Sequence, residues 1–108
     1  MPDESRTGDG DFDRDGATVL LDRDGIRCWL ERVPPDTSGL PRGGHPAISI
    51  VISGGPVELL DDRDRTIRRG TLLSGQMIYD CLREPPVRHR LHNLSDRPLL
   101  LMTIALPN

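Results

Sequence analysis

Three histidines, His45, His89 and His92, are the side chains of this 108-residue chain best placed to change charge near neutral pH. His89 stands in VRHRLHN, where Val87, His89 and Leu91 alternate with Arg88, Arg90 and His92. A strand period of two turns His89 inward and His92 outward. An imidazole among apolar neighbours needs partners for its ring nitrogens, so it is a satisfied core residue, a metal ligand or an acid–base group. His45 follows Gly43-Gly44 at the start of AISIVIS, where it can face the mouth of a barrel. Glu31 alternates with Trp29 and Val33, while Met77, Tyr79 and Cys81 share one face of GQMIYDCL. If these faces meet inside, Trp29, His45, Met77, Cys81 and Leu91 line an apolar pocket holding Glu31, Tyr79 and His89 as its reactive groups. A carboxylic acid and an imidazole can exchange protons there, and Tyr79 can donate to a developing oxyanion. That set suits enolisation, dehydration or ring closure. The plain alternatives are an exposed Glu31 facing an arginine and a core ring for Tyr79.

The elements that must position these groups read as strands. From residue 17 onward, short apolar or alternating runs are separated by Gly, Pro and Asp clusters. Nine are expected: 17–22, 25–33, 47–53, 56–61, 65–69, 71–73, 75–82, 87–93 and 98–106. No stretch keeps an apolar helical stripe for three turns without Gly or Pro, and no repeat is visible. Asp24-Gly25, Gly54-Gly55, Asp61 to Asp64, Arg69-Gly70 and Ser95-Asp96 supply turns. The link PPDTSGLPRGG is too rich in proline to pair in a sheet and is expected to cross a rim. LLLMTIAL is apolar on both pleat faces, so a second sheet or a partner subunit must cover each side.

Composition narrows the function. Leu, Ile, Val and Phe make up 28 of 108 residues, enough for one compact core. The net charge of −3 comes from the first sixteen residues, which carry six acids against two arginines. That segment is expected to be a flexible acidic tail, with the domain spanning 17–108. Asp11, Asp13, Asp15, Gly16 and Asp22 match a calcium-loop spacing. The flanking helices such a loop needs are missing, so the tail reading is preferred. No basic stripe or aromatic platform supports nucleic-acid binding. The absence of lysine excludes Schiff-base chemistry and a P-loop, and the arginine richness is read as compositional bias. Cys28 and Cys81 lack metal or disulfide spacing and read as buried thiols. With neither a signal core nor a membrane span in the sequence, a cytoplasmic protein is expected.

From about Trp29 to Leu106 the chain resembles a small single-domain cupin. HPAISIVISGG resembles the end of the family's first motif, and LLSGQMIYD with HRLHNLSDRPLLLMTIAL resembles its second. The most specific part is His89-x3-Asn93 followed by Ser95, Asp96 and Pro98, with Gly75 as the preceding glycine. The resemblance implies an all-β, double-sheet jelly-roll barrel with a pocket between its sheets. It also implies a metal site, in which His89 takes the second-motif place and His45 one place of the first motif. The remaining first-motif places fall on Gly43 and around Ala47 to Ser49, where no ligand exists. No cofactor is firmly implied; a divalent Fe, Zn, Mn or Ni on His45 and His89 is the candidate, completed from Glu31, Asp80 or Cys81.

The leading expectation is a small-molecule isomerase, cyclase or lyase, suited to a biosynthetic pathway, that works by acid–base chemistry with metal optional. The alternatives are a ligand-binding or sensor barrel, a two-histidine metal-dependent dioxygenase, and a structural dimer with a plugged barrel. The expected partners are a small molecule and a second copy of the chain, with no nucleic acid and no membrane.

Overall fold

The computed structural model describes residues 17–42, 45–80 and 88–107. The acidic tail, the first calcium-loop positions, Cys81 and Val87 lie outside the described residues. Among those described, every regular element is a strand: β1 (Ala17–Arg23), β2 (Ile26–Val33), β3 (Ala47–Ser53), β4 (Gly55–Leu60), β5 (Thr66–Leu72), β6 (Met77–Asp80), β7 (Arg90–Asn93) and β8 (Leu99–Ala105). They form a five-stranded sheet, β1-β2-β8-β3-β6, and a three-stranded sheet, β5-β4-β7, with every pairing antiparallel. This is a double-sheet jelly roll.

The expected break at Gly70 is absent. Gly70 pairs with Val57, so the two runs on either side of it form one strand. A glycine weakens a strand but does not end it when the ladder continues across it. The proline-rich link also departs from expectation. Residues 36–42 run antiparallel beside β7, with Gly39 N–H donating to Leu91 C=O at 2.8 Å and isolated bridges joining Ser38 to His92 and Arg42 to His89. Pro34, Pro35 and Pro41 occupy positions where the pairing asks for no N–H, so proline does not obstruct it. This segment lengthens the smaller sheet and carries Arg42 inside the barrel.

Between the sheets lie Val33, Val51, Val57, Leu91, Leu99 and Leu101, joined by Leu59, Leu72 and Ile78. Strand alternation explains the apolar character of β8 on both faces. Leu99, Leu101 and Thr103 are buried inward, whereas Leu100, Met102 and Ile104 face out with Cys28, Leu30, Ile48 and Ile50. Across β3, Met77 pairs with Ile50 and Tyr79 with Ile48, which puts both on that outer face at 65% and 64% exposure. The expected inward direction of Met77 and Tyr79 is therefore reversed. The inward residues of β6 are Ile78 and Asp80.

The second-motif residues support the turn before β8. Asn93 is 1% exposed; its amide donates to Val33 C=O at 3.0 Å and Arg97 C=O at 2.7 Å, and accepts from Ser95 N–H at 2.9 Å. Gly75, at φ +90°, turns the chain into β6 and donates its N–H to Val51.

Candidate functional site

The inward row Trp29, Glu31 and Val33 follows from the alternation of β2, which is flanked by β1 and β8 and holds the Glu31 side chain at 3% exposure. Its Oε2 accepts the Leu40 N–H at 2.7 Å, and its Oε1 stands 3.5 Å from Arg42 Nη1. The backbone passes close enough that a Cβ at Gly39 would overlap this carboxylate. Glycine at 39 is thus a steric requirement of the site.

Arg42 is the centre of the arrangement. Its bridge to His89 sends both side chains to the same side of the smaller sheet, toward Asp80 at the end of β6. The guanidinium side chain is 8% exposed, with Nε and Nη2 each 3.3 Å from Asp80 Oδ2. Nη2 also donates to Ser49 Oγ, which shares a 2.8 Å hydrogen bond with Thr103 Oγ1. On the far side of Asp80, His89 Nε2 lies 3.6 Å from Oδ1. Glu31, Arg42, Asp80 and His89 therefore form one continuous polar line through the barrel, with the Ser49–Thr103 hydroxyl pair beside it.

The two carboxylates are pushed in opposite directions. Burial raises Glu31 above the ordinary 4.5, and the Leu40 N–H and Arg42 charge offset only part of that effect. Burial acts to raise Asp80 as well, but hydrogen bonding to His89 and the charges of Arg42 and His89 prevail and hold it below 3.8. Two carboxyl groups beside one guanidinium are thus biased toward different protonation states.

Two hollows open on either side of the Arg42–Asp80 pair, and both residues line each of them. The first, about 220 Å³, is bordered by Trp29, Glu31, His45, Arg88 and Thr103. The second, about 510 Å³, is bordered by His89, Leu91, Leu59, Leu72, Ile78, Gln76 and Arg68, with Tyr79 at its margin. The pocket expected from the sequence is thus divided. Trp29, Glu31 and His45 belong to one compartment, and His89 and Leu91 to the other. Met77 borders neither, and Cys81 lies outside the described residues. Tyr79 borders the second hollow from β6 with its ring on the outer face of the larger sheet, not on the floor of the hollow.

The expected metal pair is not assembled. His45 is exposed and its Nε2 donates to Leu106 C=O at 2.8 Å, while His89 opens on the other hollow beside Asp80. Among the described residues, no three His, Cys, Asp or Glu side chains converge as a ligand set. The buried guanidinium already engages the nearest carboxylate, and its fixed positive charge repels a divalent cation. Among the described residues, the side chains do not fit the expected metal, and Glu31 and Asp80 do not complete a site for it.

His92 faces out, as its parity predicts, with hydrogen bonds to Ser38 Oγ at 3.1 Å and Asp36 Oδ1 at 3.0 Å. Asp22, the last calcium-loop position, sits in β1 beside Arg27 at 3.4 Å. Sequence reasoning missed Arg42. Its available signal was the need for a cation opposite inward-facing carboxylates, because buried charges must be paired.

Solved structures carry the same fold. A cupin domain from Bordetella pertussis Tohama I superposes with a TM-score of 0.70 at 19% identity, covering 85% of this chain and 92% of that one. A Silicibacter pomeroyi protein, described as a sugar phosphate isomerase from a cupin superfamily, gives 0.61 at 18% identity over 87% of this chain and 61% of its own. The cupin_2 domain of an XRE family transcriptional regulator from Enterobacter cloacae gives 0.61 at 19%, covering 85% and 95%. The double-sheet jelly roll is therefore the cupin fold. No protein-family model matches the sequence, and no curated protein matches it. Among the described residues, no helix is long and apolar enough to cross a membrane.

Proposed function

We propose that this chain is a small-molecule enzyme of the isomerase, cyclase or lyase type, moving a proton at the carbon beside a carbonyl group in the larger hollow. The observation that supports this most strongly is the Asp80–His89 pair bordering that hollow, with Arg42 held beside it. Asp80 faces Nε2 at 3.6 Å, an ion-pair separation that favours the proton on that nitrogen and leaves the Nδ1 lone pair as the base. As Nδ1 takes the proton, the C–H electron pair moves into the carbonyl and the oxygen becomes an enolate. Arg42 has five N–H groups, and hydrogen bonds to Glu31, Asp80 and Ser49 account for three of them. An N–H of this guanidinium left without a partner is the donor for the enolate oxygen. Returning the proton to a different carbon gives isomerisation; expelling a β-leaving group gives elimination. Glu31, across Arg42 from this hollow, is a positioning residue that holds the guanidinium and does not touch substrate.

The test is solvent exchange. Small 2-oxo and 3-hydroxy carbonyl compounds are incubated with the protein in D2O, and loss of their α-proton signals is followed by NMR. Exchange should fall about a hundredfold or more in His89→Gln, the ordinary worth of a positioned base. Binding without exchange across the panel would instead assign the barrel to ligand holding.

The reading includes a second copy of the chain. Ile104, Ile48 and Tyr79 form one outward row that ends at the buried Cys28, and Leu30, Met102, Ile50 and Met77 form the next. Neither row carries a charge, so the face can meet its own copy about a two-fold axis without like charges opposing one another. Light scattering across a concentration series should give twice the chain mass, and Ile50→Glu should give the single chain.

A further inference from the structure

We infer that the larger hollow takes an amphipathic monocarboxylate, with its anionic end on Arg68 and its apolar body reaching toward His89. This rests on the functional reading for which end reacts, but the charge argument stands on the hollow alone. Arg68 lies opposite Leu59, which lies opposite Leu91, so all three share the inward face of the smaller sheet. β5 is an edge strand and Arg68 is exposed on it, so the guanidinium stands at the solvent-facing rim of the hollow while Leu59 and Leu91 carry the row inward. The neighbouring arginines behave differently: Arg69 turns outward to Glu58 at 3.4 Å, and Arg65 pairs with Asp61 at 2.9 Å. Among the described residues, Arg68 has no carboxylate partner.

The charge balance of the hollow then favours an anion. Arg42 and Asp80 neutralise each other at its inner end, and Arg68 remains as the one uncompensated fixed charge on its wall among the described residues. Val57, Leu59, Leu72, Ile78 and Leu91 give the hollow an apolar wall, with Thr71, Gln76 and His89 as its uncharged or titratable polar groups. A single guanidinium matches a carboxylate in charge and in its forked geometry, whereas a phosphate dianion calls for more donors than this wall offers. Sheet spacing sets the scale. Arg68 and His89 lie two strands and two residues apart, about 12 Å between Cα atoms, a gap suited to a body of about six carbons once both side chains reach inward.

The experiment compares hexanoate, hexanamide and hexyl phosphate by amide chemical-shift titration of the intact protein. Hexanoate should bind about ten- to a hundredfold more tightly than hexanamide, the range of one charge-assisted hydrogen bond. The advantage should shrink with added salt, disappear in Arg68→Gln and return in part in Arg68→Lys. Shifts should centre on Leu59, Leu72 and Leu91, and an unchanged spectrum elsewhere in Arg68→Gln shows that the fold is kept. Equal affinity for hexanoate and hexanamide, or a preference that survives Arg68→Gln, overturns the inference. Tighter binding of hexyl phosphate overturns the carboxylate assignment. These readouts involve no turnover, so failure of α-proton exchange leaves them intact, and failure here leaves the exchange result intact.

Discussion

Replacing Arg42 by Met probes the polar line where the structure places most at stake. The guanidinium side chain is 8% exposed and stands between Glu31 at 3% and Asp80 at 10%, so the substitution strands two carboxyl groups in an apolar interior. Removing one member of a buried ion pair costs about 3–5 kcal/mol, mostly because the remaining charge has no counterpart. The protein can evade part of that cost by taking up protons, and Glu31 is already biased toward the neutral form. The loss should therefore be about 3–5 kcal/mol at pH 8, where protonation is hard, and clearly smaller at pH 5. For a domain of this size that corresponds to a melting temperature lower by more than about 12 °C. Guanidinium chloride unfolding of wild type and variant at both pH values measures the difference, and unchanged m-values show that the same surface unfolds. Adding Glu31→Gln and Asp80→Asn to Arg42→Met should recover part of the loss by removing the stranded charges. A cost below about 1 kcal/mol that does not vary with pH would refute the idea that this arginine is a buried counter-ion.

Other consequences follow from the same geometry. Because the folded state raises Glu31, its ionisation removes stability as pH rises from 4.5 through the raised value; Glu31→Gln should flatten that decline in a pH series of unfolding curves. Asp80 has the opposite sign: its contribution is full above 3.8 and lost as pH falls through its lowered value, so Asp80→Asn should flatten the acid limb. Gly39→Ala should cost about 1–3 kcal/mol by pushing the new methyl into the Glu31 carboxylate, measured by thermal unfolding. Asn93→Ala removes three hydrogen bonds and leaves buried backbone groups unpaired, so about 2–4 kcal/mol should be lost in the same assay.

The fold was legible because the strand runs and their turns agree at every level. Asp24-Gly25, with φ of +55° and +79°, joins β1 to β2 as a dipeptide of this kind should. The inward row of Trp29, Glu31 and Val33 was equally readable, since the strand period of two puts the three on one face. Parity failed on β6 for a specific reason. The larger sheet is apolar on both faces, so the apolar pair Met77 and Tyr79 gave no indication of which face was the core. Arg42 was hidden differently. It lies in a link without periodicity, between Pro41 and Gly43, and in a chain whose basic residues are all arginine no single one stands out. Its place follows from main-chain bridges to His89, a contact across 47 positions that local pattern does not report. The sequence resemblance carried the metal expectation; the guanidinium that displaces it is a tertiary fact.

The most direct test of the account is a carbon-detected NMR titration of the Glu31 and Asp80 side-chain carboxyls in the intact protein. The account predicts a midpoint for Glu31 above 4.5 and one for Asp80 below 3.8, with Arg42→Met moving Asp80 upward. Two carboxyls titrating together at ordinary values, indifferent to Arg42, would contradict it.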